Sequence, residues 1–245
     1  GGLPTDSTGV LVDLAKVKPE LTHHFEFGLK TEPIKNSILN VTAFFTQIKN
    51  YQTLVQTPDL TLNRGYLANA EKIRIAGLEI ELSYRFKKYI TVNGGFTFTD
   101  GKYLSFKNAP LPLEETGARP AFKDISGGVL PGISKYIATF GIDAAYPVKL
   151  FTQKGEVFLG VDTYYRCKFS SSPSPSKYLN IDGYALLNAR IGFRAVEGFS
   201  IFVWSRNLTN KNYFEQLLPG AGNPGNYAGV LGDQRTFGAT IKYGF

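Results

Sequence analysis

The chain has 245 residues, of which 19 are Phe, 14 are Tyr and 26 are Gly, a composition that favours pleated strands joined by turns. No apolar run approaches the roughly 18 to 20 residues that a membrane helix requires, so a membrane protein built from helices is excluded. The net charge of +7 comes from Lys and Arg residues that are scattered along the chain, which argues against nucleic-acid binding. The lone Cys167 excludes an internal disulfide, and the adjacent His23 and His24 suit no zinc pattern, so we expect neither a metal site nor a cofactor.

Apolar and polar residues alternate along nine segments, most of them long enough to cross a bilayer as tilted strands of roughly 9 to 11 residues. In chain order these segments are 22–33, 37–49, 73–86, 90–103, 135–147, 155–168, 184–196, 199–208 and 235–245. In the last segment Phe237, Ile241 and Tyr243 share one predicted face, while Thr240 and Lys242 share the other. One face suits lipid and the other suits water. A soluble β-sandwich shows the same alternation around its core, so the period by itself leaves both folds open.

The connections between the segments alternate in length. Short turns are predicted at 34–36, 87–89, 149–154 and 197–198, and long connections at 50–72, 104–134, 169–183 and 209–234. Short periplasmic turns and long extracellular loops are the arrangement of outer-membrane barrels, whereas a sandwich has no reason to sort its loops in this way. The sequence therefore predicts an all-β fold, a transmembrane antiparallel up-and-down β-barrel. Because bacterial barrels have an even number of strands and leave no open edge in lipid, nine strands predict a portion of a larger barrel.

Five stretches of the chain, in the same order, resemble the TonB-dependent outer-membrane receptors. They are residues 18–30, 69–82, 126–134, 206–213 and 232–238. The run from Asn207 to Tyr213 resembles the family's near-terminal N-L-[TF]-[DN]-x-x-Y box, and 232–238 resembles the approach to its last strand, with Gln234 where Pro is common. The resemblance implies that residues 1–245 are the C-terminal part of a barrel of about 22 strands, whose plug domain and earlier strands are absent from this chain.

The resemblance also implies a function. The complete protein would lie in the Gram-negative outer membrane, bind a scarce nutrient outside the cell and import it into the periplasm. The energy would come from the TonB complex acting through the absent plug. A ferric siderophore or haem is the expected ligand, with cobalamin or a glycan as alternatives.

Other functions fit the sequence less well. We expect no enzyme activity, because the chain lacks G-x-S-x-G and H-E-x-x-H motifs, and the G-x-G-x-x-G match at 220–225 has no strand–helix context. The alternative within the barrel class is a passive porin or a structural or adhesive outer-membrane barrel. Such a barrel would share the alternation but not the ordered motifs.

The last residues carry a candidate assembly signal, made of Ile241, Tyr243 and Phe245. These side chains alternate along a strand whose lipid-facing side is apolar, and an unpaired edge of this kind is adhesive. By resemblance, the outer-membrane assembly machinery recognises this signal by pairing with the edge.

Candidate ligand contacts lie in the long connections, because loops on a rigid scaffold carry function. They are Arg119, Phe122, Tyr213, Phe214, Asn226 and Tyr227. Aromatic rings beside Arg stack on planar ligands, and Arg pairs with anions. The same side chains can equally pack the loops together, and the sequence leaves both roles open.

Four basic residues are predicted to face the lumen, namely Arg166, Lys168, Arg190 and Arg194. They would make this part of the lumen positive and favour anionic chelates. Acidic residues are predicted to point the same way, and they are Glu79, Glu81, Asp143 and Asp162. The alternative is therefore that opposite charges in the complete barrel cancel the field.

Overall fold

The computed structural model describes residues 17–56, 65–115, 122–150, 152–173, 175–220 and 226–244. These residues form fifteen β-strands and no α-helix. In chain order the strands are β1 (Leu21–Thr31), β2 (Ser37–Gln56), β3 (Gly65–Phe86), β4 (Ile90–Ser105), β5 (Ala109–Pro110), β6 (Phe122–Lys123), β7 (Tyr136–Leu150), β8 (Gln153–Arg166), β9 (Phe169–Ser170), β10 (Asn180–Ile181), β11 (Tyr184–Ala195), β12 (Phe199–Arg206), β13 (Phe214–Pro219), β14 (Tyr227–Leu231) and β15 (Thr236–Tyr243). Among the described residues, no helix has the length and apolar character needed to cross a membrane.

Nine of the strands form one antiparallel sheet, in which each strand pairs with the next of the nine along the chain. The order is β1-β2-β3-β4-β7-β8-β11-β12-β15. These strands lie at the nine predicted segments, so the predicted antiparallel all-β fold is confirmed. At the edges, β1 and β15 each have one strand neighbour within the ranges that the structure describes.

The hairpin of β2 and β3 is longer than predicted. Its pairing continues to Gln56 and Gly65, so the long connection predicted at 50–72 is wrong over most of its length. The extension is stable because Val55 and Ala70 are buried in a hydrophobic cluster. The left-handed φ of 54° at Asn50 interrupts the regular strand and marks the place where the prediction ended it.

One face of the sheet carries large hydrophobic side chains that nothing in the described residues covers. Phe25, Phe27, Phe237 and Ile241 are 67%, 74%, 80% and 69% exposed. A soluble sandwich would bury such side chains against a second sheet, so that alternative is wrong. An apolar face of this kind is the lipid-facing surface of a transmembrane barrel.

The opposite face is polar. Paired residues share a face, and the register aligns Glu81 with Asn40, and Asp162 with Asn188. The Asn40 amide donates to a carboxylate oxygen of Glu81 at 3.1 Å. A wet lumen accommodates such groups, whereas lipid does not.

The connections are sorted by length to the two ends of the sheet, as predicted. On the short side, residues 87–89 join β3 to β4 and residues 196–198 join β12 to β11. Gly198 has a φ of 84°, and a Cβ there would lie 2.8 Å from the carbonyl oxygen of Gly244, so this turn requires glycine. On the long side, the connections contain the small strand pairs β5–β6, β9–β10 and β13–β14, which the sequence analysis did not predict.

The buried hydrophobic residues gather at the long-loop end of the sheet. One cluster contains Val55, Ala70, Ile73, Tyr103, Phe106, Ala109 and Leu130. A second contains Phe169, Ile181 and Tyr184, with Tyr213 and Leu217 packed against it. Because strand ends and loop residues share these clusters, the long connections are anchored to the wall of the barrel.

Candidate ligand-binding loops

Three of the long connections meet at the carboxylate of Glu114. Glu114 lies between β4 and β7, Ser176 and Lys177 lie between β8 and β11, and Tyr227 begins β14. The Ser176 hydroxyl and the Lys177 amide donate to Oε1 of Glu114 at 2.8 and 3.1 Å, and the Tyr227 hydroxyl donates to Oε2. We call these four residues the three-loop junction. Hydrogen bonds to a carboxylate are among the stronger ones in proteins, so the junction fixes the three loops to one another.

The position of Ser176 at the start of a 3-10 turn orients its hydroxyl toward Glu114. Its side chain caps the 3-10 turn Lys177–Leu179 by accepting the Tyr178 amide at 3.1 Å, which leaves its hydroxyl proton for Glu114. Ser176 is 4% exposed, so it has little access to water as a replacement partner. The ring of Tyr178 packs on that of Tyr227, with 5.2 Å between the centroids.

The hydrogen bonds of the junction favour the ionised form of the Glu114 carboxyl group. Partial burial by itself raises the pKa of Glu114, but the hydrogen bonds from Tyr227, Ser176 and the backbone outweigh it and leave that pKa below its ordinary value. The pKa of Tyr227 is raised, first by burial and then by its hydrogen bond to the carboxylate. A charged Glu114 and a neutral Tyr227 are therefore the stable pair at neutral pH.

A cavity of about 240 Å³ lies beneath the junction. Its lining is mostly apolar and comes from the β2 end and all three loops, including Leu54, Leu111, Leu179, Leu218 and Pro219. Ligand pockets in proteins are commonly about 300 to 1,000 Å³, so this cavity can hold one apolar substituent rather than a whole chelate.

Ser171 makes a second tie between two of the loops. Its hydroxyl donates to the carbonyl oxygen of Leu217 at 2.7 Å and accepts the Leu217 amide at 3.1 Å. Its backbone amide donates to the carbonyl oxygen of Leu179 at 2.9 Å. The β8–β11 and β12–β15 connections are therefore joined through backbone groups as well as through the junction.

Two of the predicted loop residues are engaged in loop packing. Tyr227 belongs to the junction, and Tyr213 packs on Tyr184 with 4.4 Å between the ring centroids. Sequence reasoning missed Glu114 and Ser176, whose contacts join residues 62 and 113 positions apart. No local sequence signal marks such a contact.

The other predicted loop residues are open to solvent where the structure describes them. Phe122 in β6 and Phe214 in β13 are 38% and 40% exposed, and Asn226 is also exposed. The backbone carbonyl of Asn226 accepts the Gly220 amide at 2.8 Å. Arg119 lies outside the described residues. A ligand role for all of them stays a prediction.

Arg190 lies on the polar face between two carboxylates. Its Nη2 is 2.5 Å from an oxygen of Asp143, and its Nη1 is 3.4 Å from an oxygen of Asp162. Gly160 lies directly opposite in the register, and a Cβ there would be 2.6 Å from Nε of Arg190. The missing side chain of Gly160 therefore provides the space in which the guanidinium reaches both acids.

The other predicted lumen residues differ in their surroundings. Arg194 is 2.7 Å from Glu156, also on the polar face. Arg166 donates to the Ser134 hydroxyl and stacks over the Phe169 ring at 3.5 Å, so it braces a loop. Lys168 follows the end of β8 and is exposed.

These contacts bear on the predicted positive lumen. The carboxylates that offset Arg190 and Arg194 lie on β7 and β8 of this same sheet. The preference for anionic chelates stays a hypothesis. Of the four basic residues predicted to face the lumen, the exposed Lys168 is the one whose substitution tests it best.

The residues of the candidate assembly signal lie on an edge strand. Ile241 and Tyr243 are on the apolar face of β15 and are 69% and 63% exposed. Phe245 lies outside the described residues. Recognition of this edge by an assembly factor stays a prediction.

Comparison with known proteins identifies the fold. Residues 4–208 match the family model described as TonB dependent receptor-like, beta-barrel. The ferric-pyoverdine M114 receptor PbuA of Pseudomonas sp. (strain M114) is 22% identical over 235 residues, which cover 96% of this chain and 26% of the relative. The chain thus spans about a quarter of the length of that relative.

Solved structures of similar fold cover nearly the whole chain. The ferric yersiniabactin uptake receptor FyuA from Yersinia pestis has a TM-score of 0.68 and 18% identity, over 92% of this chain and 30% of its own. The siderophore receptor PiuA from Acinetobacter baumannii has a TM-score of 0.65 and 16% identity, over 97% of this chain and 30% of its own. At this identity the likeness establishes the fold alone. Together with the family match over most of its length, it shows that the chain belongs to the TonB-dependent receptor-like β-barrel family.

Proposed function

We propose that the chain is the C-terminal part of an outer-membrane receptor that binds a ferric siderophore and imports it into the periplasm with TonB-transduced energy. PbuA is a ferric-pyoverdine receptor, FyuA is a ferric yersiniabactin uptake receptor and PiuA is a siderophore receptor, which supports this class of ligand. The observation that carries the proposal is the three-loop junction. It builds one fixed layer from three long connections on a membrane-spanning wall, and pre-formed surfaces of this kind are what binding requires.

In this proposal the chain supplies part of the barrel wall and three ligand-facing loops. The plug and the segment that contacts TonB belong to other parts of the complete receptor, consistent with the chain covering 26% of PbuA. The exposed rings of Phe122 and Phe214 would stack on the ligand, and Lys168 would attract its negative charge. The cavity beneath the junction would accept one apolar substituent of the ligand.

The test is uptake by cells that carry the full-length gene. The probes are 55Fe-pyoverdine and the 55Fe-loaded siderophore fraction purified from the iron-starved culture medium of the source strain. We expect deletion of the gene to abolish uptake of at least one probe, and the full-length gene to restore it. Removal of TonB should abolish the restored uptake.

A passive barrel gives a different result. If the restored uptake persists without TonB and without a proton gradient, the chain belongs to a diffusion pore and the proposal is wrong. If deletion leaves uptake of both probes unchanged, a ferric siderophore is not the ligand.

A further inference from the structure

Toward the long connections, the apolar face of the sheet ends in a group of basic side chains. Lys49 on β2 lies directly opposite Lys72 on β3, and Arg74 on β3 lies directly opposite Lys102 on β4. The ammonium of Lys135, just before β7, lies 5.9 and 5.6 Å from the ring centroids of Phe98 and Tyr136. We call Lys49, Lys72, Arg74, Lys102 and Lys135 the basic rim.

The basic rim lies on the apolar face rather than on the polar one. Side chains alternate between the two faces along a strand, so residues an even number of positions apart share a face. Lys49 therefore shares the face of Phe45 on β2, and Arg74 shares the face of Ala76 on β3. Phe45 and Ala76 are paired across β2 and β3, and Phe45 is 38% exposed on that face. The rim therefore borders the surface that meets lipid.

The charges of the rim are poorly compensated. Like charges directly opposite one another in an antiparallel pair are destabilising, and the rim contains two such pairs. Asp100 is the acid on the same face at these strand positions, and it contacts both Arg74 and Lys102, the latter at 3.4 Å.

Two other nearby acids accept hydrogen bonds from backbone amides. The Glu20 carboxylate accepts the Gln52 amide at 2.6 Å, and the Glu71 carboxylate accepts the Lys107 amide at 3.3 Å. Among the described residues, the five cations of the rim share their face with one carboxylate, that of Asp100, so the rim carries net positive charge that an external anion would stabilise.

We propose that the basic rim binds the phosphate groups of a lipid headgroup in the outer leaflet, with the acyl chains lying on the apolar face beside it. This inference rests on the membrane orientation in the proposed function, with the long connections outside the cell. Basic side chains at the membrane surface attract anionic headgroups, and long Lys stems reach the interface from an apolar surface.

The apolar surface beside the rim favours a lipid over a free anion. The rings of Phe96 and Tyr136 are stacked with 6.2 Å between centroids, and Phe98 packs on Tyr136 at 5.6 Å. Phe96 and Tyr136 are each 40% exposed. The basic rim can bind the charges of a headgroup, and the adjoining apolar surface can bind hydrocarbon chains. Only an amphiphile makes both contacts.

The experiment measures binding of bisphosphorylated, hexa-acylated lipid A to the full-length receptor in detergent, by native mass spectrometry. The test variant is Lys49→Gln/Lys72→Gln/Lys102→Gln, and the matched control is Lys35→Gln/Lys87→Gln/Lys88→Gln, whose exposed lysines lie at the short-turn end. One basic side chain near an anionic surface contributes about fivefold in affinity, so we expect about a hundredfold loss in the test variant. The control variant and a triple Lys→Arg variant of the rim should bind as the wild type does.

Several results would overturn the proposal. Equal binding by the test variant and the wild type would do so, as would an equal loss in the control variant. Dephosphorylated lipid A binding as tightly as the bisphosphorylated form would show that the acyl chains alone are recognised. If the triple variant fails to assemble, the three single variants decide the matter, with about fivefold loss expected in each.

The outcome is separable from that of the uptake test. Loss of lipid A binding with unchanged 55Fe uptake supports the rim as a lipid site distinct from the ligand path. A failure of 55Fe uptake in the wild type would refute the siderophore proposal and leave the lipid measurement valid.

Discussion

Replacement of Glu114 by Ala should release three loops at once. In the wild type its carboxylate accepts the hydroxyl protons of Ser176 and Tyr227 and the amide proton of Lys177. The Ala side chain accepts none of them. The sheet should remain intact, because its ladder hydrogen bonds do not involve Glu114.

The size of the effect follows from the three lost contacts. Hydrogen bonds to charged groups contribute about 1.5 to 3 kcal/mol each, and a buried donor left without a partner costs about 1 to 3 kcal/mol. Glu114 is exposed, so water replaces part of what Tyr227 and Lys177 lose, whereas Ser176 is 4% exposed and is compensated least. We therefore expect the docked loops to lose about 2 kcal/mol, which is roughly a thirtyfold increase in the open population.

Hydrogen–deuterium exchange of the full-length receptor in detergent measures this population directly. Amide exchange should accelerate about thirtyfold in all three connections, at 106–115, 175–183, 214–220 and 226–231. The matched control is Glu115→Ala, because Glu115 pairs with Lys123 at 2.7 Å within a single connection. Faster exchange confined to the loop of Glu114, with the other two unchanged, would refute the account of the junction.

Three further predictions concern pH, a turn and the lipid-facing surface. Because the pKa of Glu114 is depressed in the folded loops, its contribution is complete above the unfolded value and is lost as the pH falls through the folded value. Loop exchange should therefore stay slow at neutral and mildly acidic pH and accelerate as the pH falls below the ordinary pKa of Glu, and acceleration already at pH 6 would contradict this. Gly198→Ala should cost about 1 to 3 kcal/mol, because it strains a φ of 84° beside Gly244, and urea unfolding in vesicles measures the loss. Val203→Lys, on the apolar face, should cost about 2 to 4 kcal/mol in the same assay, whereas Thr240→Lys on the polar face should cost about 1 kcal/mol or less. Equal costs for the two lysines would contradict the assignment of faces.

The sheet was predictable from the sequence because its determinants are local. Alternation along each strand and the length of each connection are read from neighbouring residues, and both identify the nine strands. The extension of β2 and β3 was missed, although Tyr51, Thr53 and Val55 continue the alternation, because Asn50 reads as a turn residue. The two-residue strands within the loops are too short to show a period.

The contacts of the candidate site were not predictable, because they depend on register and on distant parts of the chain. Arg190 and its acids were predicted to share a face, but their pairing requires Gly160 to lie opposite Arg190. The junction joins Glu114 to Tyr227 across 113 positions. Alternation says nothing about how loops fold over one another, so Glu114 carried no recognisable signal.

The central claim is that one face of the sheet meets lipid and the other meets water. Spin labels placed singly at 236–241 of β15, in the full-length receptor with Cys167→Ser and reconstituted in lipid vesicles, measure this directly. We predict high accessibility to oxygen at Phe237, Ala239 and Ile241, and high accessibility to a water-soluble nickel chelate at Thr236, Gly238 and Thr240. Accessibility that does not alternate, or nickel accessibility at Phe237 and Ile241, would contradict the account.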